Sequence, residues 1–439
     1  MLSNSLLSAG ITDHSFSWLL AKKRSIYLWW VLKPRLFVCG FVVLGLLIGN
    51  LRPANAQPFG VAANQQLIDI CSAHNRNKAF PAGPQLDTIC MIGNVPTNAN
   101  TTQNSGSQTQ ATPVLISQEQ LRKVRTAEKH ETKGGASSDA VSADLGGRFS
   151  AFLAAGAGTL QHYQNAFEQG YHSTLPSVTV GGDYRVNPKL ITGLAFNYFN
   201  QDGDFTSAGG FNVNSYSPLV YLNYAPFDRA FANVILGYAR QNDSYSRLAQ
   251  ILKPGQTEWK SADAAPRMVS ADFHRNLLSA YVQTGYDYTL SANDNFTLGP
   301  RLGLNVQHWM TDDYQESSNT GLELHYREPD QTSVQTTIGF TAAWALTTSI
   351  GIVSPYFTAG WVHEFANAQR TIHARFVQAP ASQEFTFETE NPARNWALLD
   401  LGVSLLMSPK LSVFVAFSTV QGNANFESYG GIVGFRGYW

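Results

Sequence analysis

Residues 296–308 read FTLGPRLGLNVQH, a stretch in which apolar and polar side chains alternate. The two kinds of side chain fall on opposite parities: Leu298, Leu302, Leu304 and Val306 against Arg301, Asn305 and Gln307. Because successive side chains of a strand point to opposite faces of a sheet, the stretch predicts a β-strand with one apolar and one polar face.

The same alternation recurs on both sides of this stretch, in residues 178–186, 334–346 and 410–421. We predict about twelve such segments of roughly 9–14 residues, each long enough to cross an apolar band of about 25 Å at the usual tilt. Their starts lie near residues 146, 176, 189, 213, 230, 274, 295, 332, 352, 395, 410 and 428. The pattern predicts an all-β fold over residues 145–439, a membrane-spanning antiparallel barrel of about twelve strands.

The connections between these segments are of two lengths. Short turns at 187–188 and 408–409 alternate with long polar stretches near 243–273, 310–330 and 367–394, as in membrane barrels. A soluble β-sandwich would also alternate, but aromatic residues cluster near the strand ends here, as in an interfacial girdle. These aromatic residues are Phe196, Tyr198, Phe199, Tyr221, Tyr224, Tyr286, Tyr288 and Trp309. The sequence therefore favours the membrane barrel.

The composition agrees with a barrel that is apolar outside and polar inside. Charged residues make up 14% and aromatic residues 12%, with 36 Gly, yet the mean hydropathy is only -0.15. The 30 Lys plus Arg nearly balance the 31 Asp plus Glu, so no basic face for nucleic acid is indicated. The composition therefore excludes a nucleic-acid partner and favours outer-membrane lipid as the surroundings.

Residues 1–56 read as a secretory signal. Basic residues at 22–24, 33 and 35 precede the apolar stretch 37–48, and Ala54-Asn55-Ala56 matches a small-x-small cleavage site. The apolar stretch is shorter than the ~20 residues that span a bilayer. A membrane anchor that includes residues 26–32 is the alternative, and the true start of the chain is also left open.

Residues 57–95 form a small predicted module with an internal echo, Q-L-x-x-I-C, at 66–71 and again at 85–90. In each copy Leu and Ile lie three residues apart and share a helix face. Cys39 lies in the signal, so Cys71 and Cys90 are the pair in the mature chain, and an oxidising compartment predicts a disulfide between them. We expect two short helices joined by this disulfide; a redox thiol pair is disfavoured because the spacing is not C-x-x-C.

Residues 96–144 are a predicted linker. Its first part, to residue 113, is polar and of low complexity, which is typical of a flexible segment. Residues 117–131 have the pattern of a helix that is charged on most of its surface.

The last predicted strand reads YGGIVGFRGYW over residues 429–439. Tyr429, Val433, Phe435 and Trp439 share one parity, and the final residue is aromatic. The pattern resembles the C-terminal signal that barrel-insertion machinery recognises in outer-membrane proteins, so these four residues are candidates for a membrane-insertion signal.

Several further stretches resemble the β-domains of autotransporters, in the same order over most of the C-terminal part. They are VTVGGDYRVNPKLITGLAFNY (178–198), GGFNVNSYS (209–217), GYARQNDSYSR (237–247), WVHEF (361–365) and RFV (375–377). The resemblance implies a twelve-stranded barrel with a helix threading its pore. On that basis the helix at 117–131 would be the pore helix, and the lumen-facing charges that could contact it are Asp183, Arg185, Arg301 and Asp400.

The resemblance also implies an exported passenger ahead of the barrel. Residues 57–144 are too few for a stacked β-solenoid, and the linker has no Asn-Asn pair, a cleavage site in some relatives. We therefore expect a short N-terminal segment that stays attached, lying at the cell surface or in the periplasm.

No catalytic motif stands out. The sequence lacks G-x-S-x-G, H-E-x-x-H and a glycine-rich phosphate loop, and His363-Glu364 has no second His at the required spacing. His162, His172, His308 and His363 are interpreted as interfacial or lumen residues. The prediction is a non-enzymatic bacterial outer-membrane barrel, without a metal, cofactor or identified small-molecule substrate, that translocates or displays a short N-terminal segment. The alternatives are a plugged pore or surface-binding barrel without a true passenger, and a barrel phospholipase or protease.

Overall fold

The structure is a computed structural model that describes residues 59–76, 83, 85–86, 90, 148–206, 208–227, 229–249, 267–290 and 295–439. The predicted signal at 1–56 and the predicted linker with its helix at 117–131 lie outside these residues. In the described ranges, no helix is both long and apolar enough to cross a bilayer.

One helix and nineteen strands make up the described part of the chain. The helix is α1 (Phe59–Arg76). The strands are β1 (Phe149–His162), β2 (Tyr171–Thr174), β3 (Ser177–Asn187), β4 (Leu190–Phe205), β5 (Gly209–Phe227), β6 (Ala230–Ala249), β7 (Arg267–Tyr286), β8 (Tyr288–Thr289), β9 (Phe296–Thr311), β10 (Tyr314–Gln315), β11 (Leu324–Arg327), β12 (Gln331–Trp344), β13 (Leu346–Thr348), β14 (Gly351–Glu364), β15 (Thr371–Phe376), β16 (Phe385–Glu388), β17 (Asn395–Ser408), β18 (Leu411–Gln421) and β19 (Phe426–Tyr438).

Twelve of these strands form a closed antiparallel barrel, which confirms the predicted fold class. Their order around the ring is β1, β3, β4, β5, β6, β7, β9, β12, β14, β17, β18 and β19. The ring closes where β19 pairs with β1, from Ser150 opposite Tyr438 to His162 opposite Phe426. The short strands β2, β8 and β13 extend the same sheet.

The barrel has two unlike ends. The turn end carries the start of β1, the end of β19 and the connections β3–β4, β5–β6, β7–β9, β12–β14 and β17–β18. The loop end carries the other connections, including the long ones between β6 and β7, β9 and β12, and β14 and β17. Short turns on one side and long loops on the other match the prediction from the sequence.

The outer face of the barrel carries an apolar band. On β5 the outward side chains from Tyr216 to Tyr224 include Val220 and Leu222, all exposed. At about 3.3 Å per residue and a tilt of about 40°, this stretch spans roughly 20 Å, close to the apolar height of membrane barrels. Tyr238 on β6 marks the loop-end limit of the band.

Five strands are longer than the predicted 9–14 residues. β4 and β9 have 16 residues each, β5 has 19, and β6 and β7 have 20 each. In the two longest strands the outward side chains become polar beyond the apolar band, as with Asn242 on β6 and Asp272 on β7. The apolar half of the alternation is lost there although the hydrogen-bond ladder continues, and for this reason the sequence prediction assigned residues 243–273 to a loop.

The inner wall contains a repeated pairing of an aromatic ring with a glycine directly opposite on the next strand. The pairs are Phe152 with Gly181, Tyr221 with Gly193, Phe211 with Gly203, Phe231 with Gly285, Tyr356 with Gly402 and Phe414 with Gly434. A Cβ at Gly193 would lie 2.3 Å from the Tyr221 ring. Each glycine therefore gives a large inward ring the space to lie flat against the wall.

Helix α1 is amphipathic. Its buried side chains recur at the three- and four-residue spacing of one helix face: Phe59, Ala62, Ala63, Leu67, Ile70 and Cys71. Cys71 and Cys90 form a disulfide, as predicted. Residues 85–86 and 90 are also helical, but most of the second predicted helix lies outside the described residues.

A second, four-stranded antiparallel sheet lies at the loop end, in the order β10, β11, β15, β16. It is built from the β9–β12 and β14–β17 connections, so it joins two loops that are distant in sequence. The sequence prediction of plain polar loops at 310–330 and 367–394 was therefore wrong. We call this sheet together with residues 59–76, 83, 85–86 and 90 the cap.

Candidate translocation lumen and its cap

The inner wall of the barrel is rich in uncharged polar side chains. Amides and hydroxyls recur at inward positions of most strands: Thr179, Asn197, Gln201, Ser215, Asn233, Gln241, Gln283, Asn305, Gln307, Gln335, Thr358 and Ser404. Such a wall offers hydrogen bonds to a polypeptide backbone or to water. It also carries an apolar inward cluster that includes Phe152, Tyr221 and Phe414.

A buried network joins the first and last strands at the closing seam. Arg436 Nη1 on β19 donates to Asp183 Oδ2 on β3 at 3.0 Å and to Ser150 Oγ on β1 at 3.1 Å. Asp183 also accepts hydrogen bonds from Ser150 Oγ at 2.6 Å and from Tyr221 Oη at 2.9 Å. The Arg436 guanidinium lies 5.1 Å from the centre of the Phe152 ring. The network joins four strands, β19, β1, β3 and β5, where the ring closes.

The four predicted lumen charges do not form one cluster. Arg301 pairs with Asp287 at 2.5 Å and lies over the Phe231 ring. Asp183 pairs with Arg436 instead. Asp400 is buried on β17, and Arg185 is partly exposed near the turn end of β3. Whether any of them contacts residues 117–131 stays a prediction, because those residues lie outside the described part.

The cap packs against the mouth of the barrel at the loop end. The Phe59 ring of α1 contacts the rings of Phe385 at 6.4 Å and Phe387 at 4.9 Å, and Gln66 Nε2 donates to the Gln383 carbonyl at 2.9 Å. One continuous apolar cluster runs from α1 through β11, β15 and β16 to inward residues of the barrel wall such as Tyr171 and Phe273. The module is therefore packed on the barrel at the loop end, rather than standing apart from it.

A buried ion pair fastens the loop sheet to the barrel wall. Arg247 at the end of β6 makes two hydrogen bonds to Glu316, at 2.6 Å from Nε and 2.7 Å from Nη2, and both side chains are fully buried. Glu316 also accepts from Tyr245 Oη and from the Leu324 backbone, each at 2.8 Å. The Arg247 guanidinium lies 5.6 Å from the centre of the Phe59 ring, so the same side chain also contacts the module.

The turn before β11 is organised by a carboxylate. Burial tends to raise the pKa of Glu323, but hydrogen bonds from Ser318 Oγ and from the amides of Thr320 and Gly321 outweigh it and hold the pKa below its usual value. Gly321 has a φ of 82°, a conformation that glycine adopts without strain. The turn depends on the charged form of Glu323.

Three of the candidate insertion residues lie on the outward face of β19, and the fourth, Trp439, directly follows this strand. Tyr429, Val433, Phe435 and Trp439 are 40%, 51%, 52% and 61% exposed, so they form part of the surface that faces lipid. Whether the insertion machinery binds them stays a prediction. No local pattern in the sequence points to Arg436 or to the Arg247–Glu316 pair, because the side chains that Arg436 and Arg247 bind lie between 69 and 286 residues away.

Three comparisons with known proteins bear on this arrangement. The curated relatives include esterase EstA of Pseudomonas aeruginosa and esterase EstA of Pseudomonas putida, each 21% identical over 240 residues, which is 54% of this chain. The matched part spans only 34% of each of these relatives. Among solved structures, the translocator domain of autotransporter NalP from Neisseria meningitidis superposes with a TM-score of 0.54 at 12% identity, covering 74% of this chain and 97% of that domain.

The fold of the NalP translocator domain is thus shared by this chain. The profile of the autotransporter beta-domain family matches residues 151–418, which is most of the barrel and more than half of the sequence. With its closed twelve-stranded barrel and polar lumen, this chain belongs to the autotransporter β-domain family.

Proposed function

We propose that this barrel carries its own N-terminal module across the bacterial outer membrane and holds it at the cell surface, docked on the loop end. The observation that carries the proposal is the position of two points of the chain. Cys90 packs in the cap at the loop end, whereas Phe149 begins β1 at the turn end and pairs with Trp439.

The segment 91–147 has to join these two ends. Hydrocarbon does not admit a non-barrel backbone that faces lipid, so we infer that the segment passes through the lumen. Even as a helix with a rise of about 1.5 Å per residue, it is longer than the 14-residue β1 is tall. The polar inner wall supports this route because it can hydrogen bond to the segment.

The alternative is a plugged pore or surface-binding barrel whose module is not a passenger. The continuous apolar cluster between α1, the loop sheet and the barrel wall favours it, because it closes the mouth. The two proposals differ in the side of the membrane from which the module arrives. In the alternative the module enters from the periplasm and is never presented to the medium.

Cysteine labelling of intact cells separates the two. Asp69 is exposed on α1, and Asp69→Cys in an otherwise native chain should react with a membrane-impermeant maleimide without permeabilisation. Ala381→Cys in the β15–β16 connection is the loop-end control, and Lys410→Cys in the β17–β18 turn is the turn-end control. Labelling of Asp69→Cys only after permeabilisation, together with Lys410→Cys, would refute surface display.

We also propose that the chain acts by translocation and display rather than by catalysis. The esterase name belongs to the EstA relatives, of which the match spans 34%. The test is hydrolysis of short- and long-chain p-nitrophenyl esters by the purified protein. Turnover that a Ser or His substitution abolishes would overturn this part of the proposal and leave the topology untouched.

A further inference from the structure

Three side chains that can ligate a metal meet at the loop end. His162 ends β1, Glu168 lies in the β1–β2 connection, and Glu390 follows β16. One ligand atom from each lies within 4.8 Å of the other two, and His162 and Glu168 are only 3% exposed. Two segments of the chain meet here, the end of β1 with its following connection and the connection after β16, and Glu390 lies 228 residues from His162.

The cluster is held in place by its neighbours. Asn165 accepts hydrogen bonds from the amides of Phe167 and Glu168 at 2.8 and 2.9 Å, and donates to Glu390 Oε2 at 2.5 Å. The Glu390 amide donates to Glu168 Oε1 at 3.3 Å. The Tyr171 ring stacks on the His162 ring at 4.9 Å. Outer contacts of this kind orient metal ligands before the ion arrives.

The charge of the cluster suits a divalent cation. Arg370 interacts with Glu168 and lies 3.6 Å from Glu328, so one guanidinium is shared between two carboxylates. The cluster places a further carboxylate, that of Glu390, beside the imidazole. Buried charges are normally paired or bound to a metal, and an M²⁺ ion would add positive charge at this place.

The cluster has an open side. A cavity of about 80 Å³ lies beside it, lined among others by His162, Glu390, Arg370 and Asn425. Entry of a metal ion requires such a path. A fourth ligand position can be filled from the cavity by water, as in zinc sites with three protein ligands.

We propose that His162, Glu168 and Glu390 form a binding site for a divalent transition-metal ion of the Zn²⁺ class. Ca²⁺ and Mg²⁺ favour oxygen-only ligand sets, whereas one imidazole nitrogen with two carboxylates fits Zn²⁺. At Zn–ligand distances of about 2.1 Å, tetrahedral ligand atoms lie about 3.4 Å apart. His162 Nε2 and Glu390 Oε1 are hydrogen bonded at 2.9 Å, so these two atoms would separate by about half an ångström to admit the ion, and the Glu168 carboxylate, within 4.8 Å of both, would move inward.

The ion would act as a clip at the mouth of the barrel. It would join the end of β1 and the β1–β2 connection to the β16–β17 connection. The latter leads out of β16, a strand of the loop sheet in the cap. The cap would then be fastened at this point as well as by the Arg247–Glu316 pair.

Calorimetric titration of the purified full chain, without a histidine tag and after chelator treatment, tests the proposal with ZnCl₂ as the probe. We expect one Zn²⁺ per chain, proton release on binding because the imidazole must be neutral, and no competition from millimolar Ca²⁺ or Mg²⁺. Co²⁺ in place of Zn²⁺ should give visible absorption bands of a four- or five-coordinate site.

The variants His162→Gln, Glu168→Gln and Glu390→Gln should each weaken Zn²⁺ binding at least tenfold. His373→Gln is the matched control, because His373 lies 3.7 Å from Glu384 on the same loop sheet but is exposed. Resistance of the folded band to SDS shows that the barrel of each variant is intact. If His162→Gln lacks this resistance, the Zn²⁺ affinity of Glu168→Gln decides the test. Absence of stoichiometric binding, or equal affinity in Glu168→Gln and the native chain, would overturn the site.

Discussion

At the scale of single residues, the cap is held by buried charges that are fully committed to their partners. Glu316 accepts from a guanidinium, a phenol and a backbone amide at once. Such a carboxylate cannot be replaced by a neutral group without leaving Arg247 charged and buried. Removing one partner of a buried pair is far more costly than removing one partner of a surface pair.

We predict that Glu316→Gln loosens the loop sheet by about 3 kcal/mol or more. Hydrogen exchange should speed up more than a hundredfold at the Leu324 amide, which donates to Glu316, because local opening becomes easier. Glu384→Gln removes a partner of the largely exposed Arg327 and should change exchange little. Equal protection of Leu324 in both variants would contradict the prediction.

The Glu323 turn predicts a pH dependence. Because the folded pKa of Glu323 lies below its usual value of 4.5, its contribution to stability is complete above the unfolded pKa. It is lost as the pH falls through the folded pKa. Pepsin cleavage within residues 312–330 should therefore rise as the pH falls from about 5 to 2, relative to Glu323→Gln.

Glu384→Gln supplies the correction for pepsin's own pH profile, since it leaves the turn intact. A native chain whose cleavage follows that of Glu323→Gln at every pH would show that the turn does not depend on the carboxylate.

At the scale of elements, the ring–glycine pairs decide how closely neighbouring strands lie. A Cβ at Gly434 would lie 2.4 Å from the Phe414 ring and 2.8 Å from the Leu153 carbonyl oxygen. We predict that Gly434→Ala lowers the free energy of unfolding by about 1–3 kcal/mol, as overpacking does. The measurement is denaturant unfolding in lipid vesicles.

Gly430→Ala is the control on the same strand and the same face. The added Cβ would lie 3.7 Å from Ser418 Oγ, an ordinary contact. The denaturant concentration at the midpoint of unfolding should therefore stay near that of the native chain. An equal loss of free energy of unfolding in Gly434→Ala and Gly430→Ala would contradict the prediction.

The module depends on its disulfide. Cys71 and Cys90 are 19 residues apart, and closing a loop of this size stabilises a fold by about 3 kcal/mol in the chain-entropy description. The double variant Cys71→Ser with Cys90→Ser should become sensitive to protease within residues 59–90, while the barrel keeps its SDS resistance. Ser72→Ala, next to the disulfide, should behave as the native chain; loss of the barrel in the double variant would contradict the prediction.

The strands show what a local pattern reports and what it omits. Ten of the twelve predicted strand starts lie within three residues of the observed ones. In the part of a strand that crosses the lipid, outward apolar and inward polar side chains alternate residue by residue, and this alternation is visible in the sequence. β7 starts at Arg267 rather than near residue 274, because its outward side chains Ser270 and Asp272 are polar at that end although its inward ones stay apolar. β10, β11, β15 and β16 have two to six residues and pair across distant loops, so no periodicity in the sequence could have revealed them.

At the scale of the whole molecule, closure depends on the seam between β1 and β19. We predict that Asp183→Asn lowers the temperature at which the folded band is lost in SDS, because it leaves the Arg436 guanidinium buried beside a neutral amide. The expected cost is about 3 kcal/mol. Arg185→Gln, on the same strand and the same face but partly exposed, should leave this temperature nearly unchanged.

The candidate site was only partly predictable at this scale. The disulfide and the inward positions of Asp183, Arg301 and Asp400 follow from composition and parity. The docking of the module does not, because it depends on contacts such as that of Phe59 with Phe387, more than 300 residues apart. The His162 cluster likewise exists only once the β1–β2 and β16–β17 connections meet, and the Arg247–Glu316 pair only once the residues after β10 reach the end of β6.

The length of β6 and β7 has an electrostatic consequence. β6 continues for about ten residues past Tyr238, which at 3.3 Å per residue and a tilt of about 40° places its far end roughly 25 Å above the apolar band. The Debye length at physiological ionic strength is only about 8 Å. Charges of the cap at this height are thus screened from those of the lipid headgroups, so what this part of the cap attracts or repels is decided by its own residues, whatever the composition of the bilayer beneath it.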